Sequence, residues 1–240
     1  MMSASHEPRL ARVAAMIADP ARSRMLAYLL DGSYASASEL ARAASVTAST
    51  ASSHLAKLES NRFVICEARG RHRYFRLANS DIAHALQALA MVAERNTHDQ
   101  SWAAPERQRL RYARCCYGHL AGTLGVALLE NLLAHECLCA TANGYELTAQ
   151  GRTWLTQIGL DLPKGTGRDA TRNRFAYGCI DWSERRDHMA GSLARALLEH
   201  FLARGWLRRA SDKSAASNGG NRVLTLTEAG RRTLLPLLAR

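Results

Sequence analysis

The sequence predicts a mainly α-helical chain with small β-hairpins, an α+β protein. Three observations predict it. Short amphipathic segments fill the first sixty or so residues, two alternating runs then flank a basic turn, and the second half carries one pattern of helices and strands twice.

Leu10, Val13, Ala14 and Ile17 recur at helical spacing, and Asp19-Pro20 stops that helix and opens the next. The second helix turns Met25, Leu26, Leu29 and Leu30 inward, and Asp31-Gly32 ends it. Ser38 is expected to cap a third helix carrying Leu40 and Ala41. After a break at Ala44-Ser45-Val46, Thr47 is expected to cap a fourth, from 48 to about 61. Beyond Phe63 the period changes to two. Residues 64–68 and 73–77 alternate around Arg69, Gly70, Arg71 and His72, which reads as a hairpin with a basic tip. A helix from 80 to about 95 follows, with Ile82, Ala85, Leu86, Leu89 and Val92 or Ala93 in one apolar stripe. Little of its own domain is left to cover that stripe, so a pairing with a second copy is expected. Polar residues then suggest a linker over 99–108, between a domain at 1–98 and a region at 109–240.

The C-terminal region contains an internal repeat. His119, Leu120, Ala121 and Gly122 recur as His188, Met189, Ala190 and Gly191. Ala127 to Glu130 recurs as Ala196 to Glu199, and Leu-Thr-x-x-Gly-Arg stands at 147–152 and 226–231. The repeats run over about 109–160 and 172–240, a pair of units each read as helix, hairpin, helix. The stretch from Ser211 to Asn221 reads as a flexible hairpin tip in the second.

A chain of 240 residues with a formal charge of +11 favours partners that carry phosphate backbones or anionic surfaces. No stretch approaches the ~20 apolar residues of a membrane helix. Charged residues stand near the N-terminus where a signal peptide holds its apolar core, so a cytoplasmic protein with reduced thiols is expected. Cys66, Cys115, Cys116, Cys137, Cys139 and Cys179 are then buried, metal-binding or redox-active thiols, not a disulfide framework.

Three helices and a basic hairpin, in that order, are what recognition of double-stranded DNA needs: a winged helix-turn-helix. The reading helix starts at Thr47. Val46, Ala51, Leu55 and Leu58 pack inward, while Ser49, Thr50, Ser52, Ser53 and His54 face the groove with small polar groups. Lys57, Arg69, Arg71 and Arg73 add attraction that does not depend on sequence. The plainer reading of each feature alone is a solvated helix face and solubilising arginines. Their order argues against it.

Residues from about 8 to 95 resemble the ArsR/SmtB family of winged-helix repressors. The resemblance rests on Asp19 to Leu26, Glu39 to Ala43, Val46 to Glu59 and Gly70 to Leu77. It implies a homodimer joined through its terminal helices, bound to an imperfect palindromic operator near a promoter and released by a ligand, often a metal or a reactive small molecule. Two of the family's metal sites fit badly. The third-helix stretch at 37–41 has no thiol, and Asp81, His84, Glu94 and His98 on the later helix depart from the family's spacing, with Arg95 where the second histidine belongs. A solvated histidine is the plainer reading of His84.

The extension holds the other candidates. Cys116 and His119, read on a helix at i and i+3, share a face, and the repeat supplies Cys179, Asp181 and His188. Packed about a pseudo-twofold axis, these residues could hold zinc or another thiophilic metal ion. Two further readings stand beside that one: thiols and imidazoles simply packed between repeats, or a redox sensor with Arg114 beside Cys115 and Arg185 and Arg186 near Cys179. Cys137 and Cys139, near His135, are expected on one face of a strand. Tyr112, Tyr117, Trp154, Phe175, Tyr177 and Trp182 would wall a cleft for an organic ligand, or form ordinary core. The competing functions are a nucleic-acid-binding protein without sequence preference, and a thiol enzyme using Cys116 and His119. The second lacks a visible orienting group or oxyanion loop, and the chain is not expected to be an enzyme.

Overall fold

Asp19 and Pro20 act locally as their chemistry dictates. The Asp19 carboxylate accepts from the Arg22 amide at 2.9 Å, capping a helix whose first residue is the proline. The computed structural model describes residues 9–69, 72–94, 104–161, 174–210 and 222–238. They divide into two units, one ending at Ile82 and one beginning at Ala83.

The first unit contains α1 (Arg9–Ile17), α2 (Pro20–Tyr28), a 3-10 turn (Leu29–Asp31), β1 (Ala35–Ser36), α3 (Ala37–Ala44), α4 (Ala48–Ser60), β2 (Val64–Arg69) and β3 (His72–Leu77). The strands form one antiparallel sheet in the order β1-β3-β2. Met25, Leu26, Leu40, Ala44, Leu55, Leu58, Phe75 and Leu77 make its core. The cap of α3 is Ser36, not the expected Ser38. Ser36 Oγ accepts from the Glu39 amide while Glu39 Oε2 accepts from the Ser36 amide at 2.8 Å, a reciprocal capping box. Period alone could not choose between two serines two residues apart. Ser36→Ala is expected to cost about 1 kcal/mol, read as a lower urea midpoint of the first unit.

The second unit begins inside α5 (Ser80–Glu94), whereas the sequence suggests a boundary after residue 98. The reason is burial: Ala83 and Gln87 of α5 are covered by this unit. It continues with α6 (Pro105–Tyr112), which begins inside the stretch expected to be linker. Then come β4 (Arg114–Cys116), β5 (His119–Ala121), α7 (Thr123–Ala134), β6 (Leu138–Thr141), β7 (Gly144–Leu147) and α8 (Ala149–Ile158). The second copy runs β8 (Tyr177–Ile180), β9 (Asp187–Ala190), α9 (Ser192–Ala203), β10 (Leu207–Arg209), β11 (Leu224–Leu226) and α10 (Glu228–Leu238). From β4 to α8, and again from β8 to α10, the order is hairpin, helix, hairpin, helix, where the sequence suggests helix, hairpin, helix. Residues 211–221, read as a hairpin tip, lie outside the described residues.

The copies interlock. The Tyr145 amide of the first donates to the Ala176 carbonyl of the second, and the Leu224 amide of the second donates to Ala113 of the first, both at 2.9 Å. Helix α7 packs on β9, and α9 packs on β5. The repeated Leu-Thr-x-x-Gly has a local cause. Thr148 and Thr227 cap α8 and α10 by accepting from the amides of Gly151 and Gly230, each at 3.0 Å. A Cβ at either glycine would sit 2.1 Å from a backbone oxygen, of Cys137 or of Trp206. Only glycine lets the helix approach the hairpin that closely.

Candidate nucleic-acid interface and candidate metal centre

Helix α4 begins at Thr47, whose Oγ1 accepts from the Thr50 amide at 3.2 Å. Ala51, Leu55 and Leu58 bury one side, as the period demands, and Val46 is half-buried. Thr47, Ser49, Thr50, Ser52, Ser53 and Lys57 are exposed. Ser52 Oγ donates to the Ala48 carbonyl at 3.0 Å and Ser53 Oγ to Ser49 at 3.3 Å, which leaves both oxygens with lone pairs toward solvent. His54 stands apart from this row. It is half-buried, with Nδ1 3.4 Å from Arg22 Nη1 and 3.7 Å from Asp19 Oδ1, so its ring ties α4 to the start of α2. Arg22 anchors that junction, with Nε donating to Met16 at 2.8 Å and Nη2 to Ala15 at 2.7 Å.

The β2–β3 hairpin pairs Arg69 with His72 and Ala68 with Arg73. Strand alternation therefore puts Arg69 and Arg73 on opposite faces. Arg69 lies over the Tyr34 ring and pairs with Glu67 at 3.1 Å; Arg73 pairs with Glu59 of α4 at 3.0 Å and donates to Cys66 Sγ at 3.1 Å. Both pairs are largely exposed, and such pairs are worth about 0–1 kcal/mol, so the arginines can exchange them for phosphates at little cost. Cys66 is half-buried. Arg71, expected at the tip, lies outside the described residues.

The buried polar residues of the second unit converge. Cys116 of β4 and His119 of β5 face each other across the hairpin, as do Cys179 of β8 and His188 of β9. The expected helix over 116–119 is thus a hairpin. Tyr117 and Gly118, at φ of 49° and 91°, form its two-residue turn. One ligand atom from each of the four residues lies within 4.8 Å of all the others, and all four side chains are buried. The two Nε2 atoms are 3.0 Å apart, with the rings stacked. Asp181 stands behind His188, outside this set. Its Oδ2 is 3.3 Å from His188 Nδ1, where hydrogen-bond geometry is not met and attraction between charges carries the contact. Asp181 also accepts from Arg114 Nη2 at 2.6 Å and from the Gly122 amide at 2.7 Å. Gln87 of α5 donates to Cys116 Sγ at 3.1 Å, and its own Oε1 is buried with no hydrogen-bond partner among the described residues.

The charges follow from these contacts. Burial alone would raise Asp181, but His188 and Arg114 hold it well below the usual carboxylate range. Burial opposes charge on His188, and Asp181 and Cys116 together outweigh it, so that imidazole is pushed up; on His119 burial wins and pushes it down. The neighbouring Cys179 and the two imidazoles pull the Cys116 thiol down against burial, while Cys116 and burial together drive Cys179 up.

The remaining candidates do not assemble. Asp81 is exposed, and half-buried His84 meets the Tyr177 ring edge-on at 5.8 Å. The side chain of Glu94 and the whole of His98 lie outside the described residues. Cys137 is buried and Cys139 exposed, because Cys137 precedes β6 and does not alternate with it. Trp182 stacks on the buried Arg114 guanidinium at 4.6 Å, while Trp154 and Phe175 pack on the core. Among the described residues no helix is long and apolar enough to cross a membrane.

A helix-turn-helix domain model matches residues 17–67. A Bacillus subtilis (strain 168) protein described as the uncharacterized HTH-type transcriptional regulator YdfF is 34% identical over 224 residues, 93% of this chain and 94% of the relative. The HTH-type transcriptional regulator CmtR of Mycobacterium tuberculosis is 38% identical over 86 residues, 36% of this chain and 72% of the relative. Its solved structure, titled as a cadmium metal-sensor, covers 33% of this chain and 81% of its own, with a TM-score of 0.29. A homodimeric winged helix-turn-helix DNA-binding domain from Mycobacterium bovis, titled a possible ArsR-family regulator, is 25% identical and covers 40% of this chain and 94% of its own, with a TM-score of 0.35.

Proposed function

This chain belongs to the ArsR-type winged helix-turn-helix transcriptional regulators, and on that premise we propose that it is a dimeric repressor that leaves its operator when a ligand engages the second unit. The exposed hydroxyl row of α4 carries this reading. Ser49, Thr50, Ser52 and Ser53 present small donors and acceptors above a fully buried face, which suits close approach to base edges in a major groove. Lys57, Arg69 and Arg73 supply phosphate attraction. Two exposed apolar faces support the homodimer: Leu10 and Val13 on α1, and Leu89 and Val92 on α5. A twofold dimer calls for an imperfect palindrome. The releasing ligand is a metal, a thiol-reactive compound or a small organic molecule.

The test is footprinting on duplexes selected from a random pool, with sedimentation to fix the stoichiometry. A protected pseudo-palindrome bound by two chains is the expected outcome. Uniform protection at every sequence would replace this reading with a non-specific nucleic-acid binder. Arg73→Ala is expected to weaken binding to all duplexes and to lower the salt slope by about 0.9. An unchanged slope in a mobility-shift titration would remove the wing from the interface.

A further inference from the structure

We propose that Cys116, His119, Cys179 and His188 form a closed four-coordinate site for one zinc-class divalent cation, and that Gln87 reports its occupancy to α5. The binding half stands apart from DNA. The reporting half rests on the regulator reading above.

The donor set decides the class of ion. Two sulfurs and two imidazole nitrogens, with no carboxylate among them, suit a thiophilic ion and not magnesium or calcium. Both histidines offer Nε2 to the same point, at 3.0 Å from each other. A tetrahedral ion with nitrogen at ~2.0–2.1 Å sets that spacing at about 3.3 Å, so the rings need move apart by only a few tenths of an ångström. All four ligands come from two antiparallel hairpins, each supplying one thiol and one imidazole at directly opposed positions. Reciprocal packing of the copies then closes the fourfold set without any loop rearrangement.

The surroundings complete the argument. Asp181 backs His188 on its second nitrogen, the arrangement that orients metal-bound imidazoles. Gln87 aims an N–H at Cys116 Sγ, as outer partners of metal thiolates do. Cys116 and Cys179 are 0% and 4% exposed, which keeps bulky oxidants and electrophiles from the sulfurs. On binding, any proton still held by the two thiols or by the Nε2 atoms leaves to solvent, and two thiolates balance the dication. The sulfur that accepts from Gln87 is then fixed in place, and α5 with it. Helix α5 follows the β3 wing strand directly in sequence and carries the exposed Leu89 and Val92, so it is the element through which occupancy would act.

The experiment uses the full chain, purified reduced and stripped of metal, with Co(II) as the probe. One Co(II) per chain is expected, with the strong visible bands of tetrahedral coordination and sulfur-to-metal charge transfer, and Zn(II) should displace it. Cys116→Ser should lose more than the ~10–100-fold that an outer partner costs. Cys139→Ser, which removes an exposed thiol outside the cluster, should change nothing. X-ray absorption of the zinc-loaded wild type needs no variant to fold, and should show two sulfurs at about 2.3 Å and two nitrogens at about 2.0–2.1 Å. A folded, reduced chain with no tetrahedral spectrum, or a spectrum that survives Cys116→Ser, overturns the site.

For the reporting half, zinc should change operator affinity of the wild type by about 5–150-fold. Gln87→Leu should keep the 1:1 stoichiometry, bind zinc ~10–100-fold more weakly and lose the effect of saturating zinc on DNA. Equal DNA affinity of loaded and stripped wild type overturns that half while the spectrum stands. If the stripped chain and the loaded chain both fail to bind any duplex, the regulator reading falls and takes the reporting half with it.

Discussion

Asp181→Ala should destabilise the second unit by about 3–5 kcal/mol, the cost of breaking one partner of a buried ion pair. Arg114 and Asp181 are both 0% exposed, and the guanidinium meets the carboxylate at 2.6 Å. Asp181 also accepts from the amides of Gly122 at 2.7 Å, Ser183 at 3.0 Å and Glu184 at 3.2 Å. Truncation leaves a cation stacked on Trp182 with its charge uncompensated, and strips the three amides and Ser183 Oγ of an acceptor as well. Trp154, Trp182 and Trp206 belong to this unit and no tryptophan precedes Ala83 in the chain, so the change in fluorescence in urea reads this unit and not the first. A midpoint lower by about 1 M or more is expected for a slope of about 1–3 kcal/mol/M. Arg114→Met with Asp181→Leu should recover part of the loss, because the unpaired charge goes with its partner. A single-variant loss below about 1 kcal/mol would mean that water reaches the pair.

Ser52→Glu should abolish operator binding, by about 100-fold or more. Ser52 is exposed on α4, and its one hydrogen bond shown is to the Ala48 carbonyl of the same helix, so the substitution leaves the core of the first unit intact. What changes is the partner's side: a carboxylate placed against phosphates costs several kcal/mol, and each 1.4 kcal/mol is a factor of ten. Ser52→Ala on the same surface should instead shift which sequence is preferred, with general affinity kept. The measurement is a mobility shift on the selected operator and on an unrelated duplex. If Ser52→Glu binds like the wild type, α4 does not enter the groove.

The first unit was almost wholly legible because its signals are local. Thr47 caps the helix it introduces, Asp19-Pro20 opens α2, and period two marks the hairpin, all within a few residues of chain. The exceptions were also local in origin but undecidable by pattern: Ser36 over Ser38, and His54, whose place on α4 turns it toward Arg22 and Asp19. In the second unit the repeat announced itself, and so did the cysteines and histidines that recur within it. Their secondary structure did not. Cys116 and His119 stand three apart, a spacing that serves a helix face and a tight hairpin equally well, and only the Gly118 turn hinted at the hairpin.

From the chain alone one could determine which residues cap, which alternate, that a basic hairpin follows a small-residue helix, and that two copies share thiols and imidazoles at matching positions. The convergence of His119 and His188, 69 residues apart, was decided by the tertiary structure, as was the retreat of Asp181 behind the ring to hold Arg114. Local order depends on interactions within a turn or two of backbone. A four-residue cluster depends on how two hairpins are held by helices from the opposite copy, and that arrangement is set by burial of the whole core.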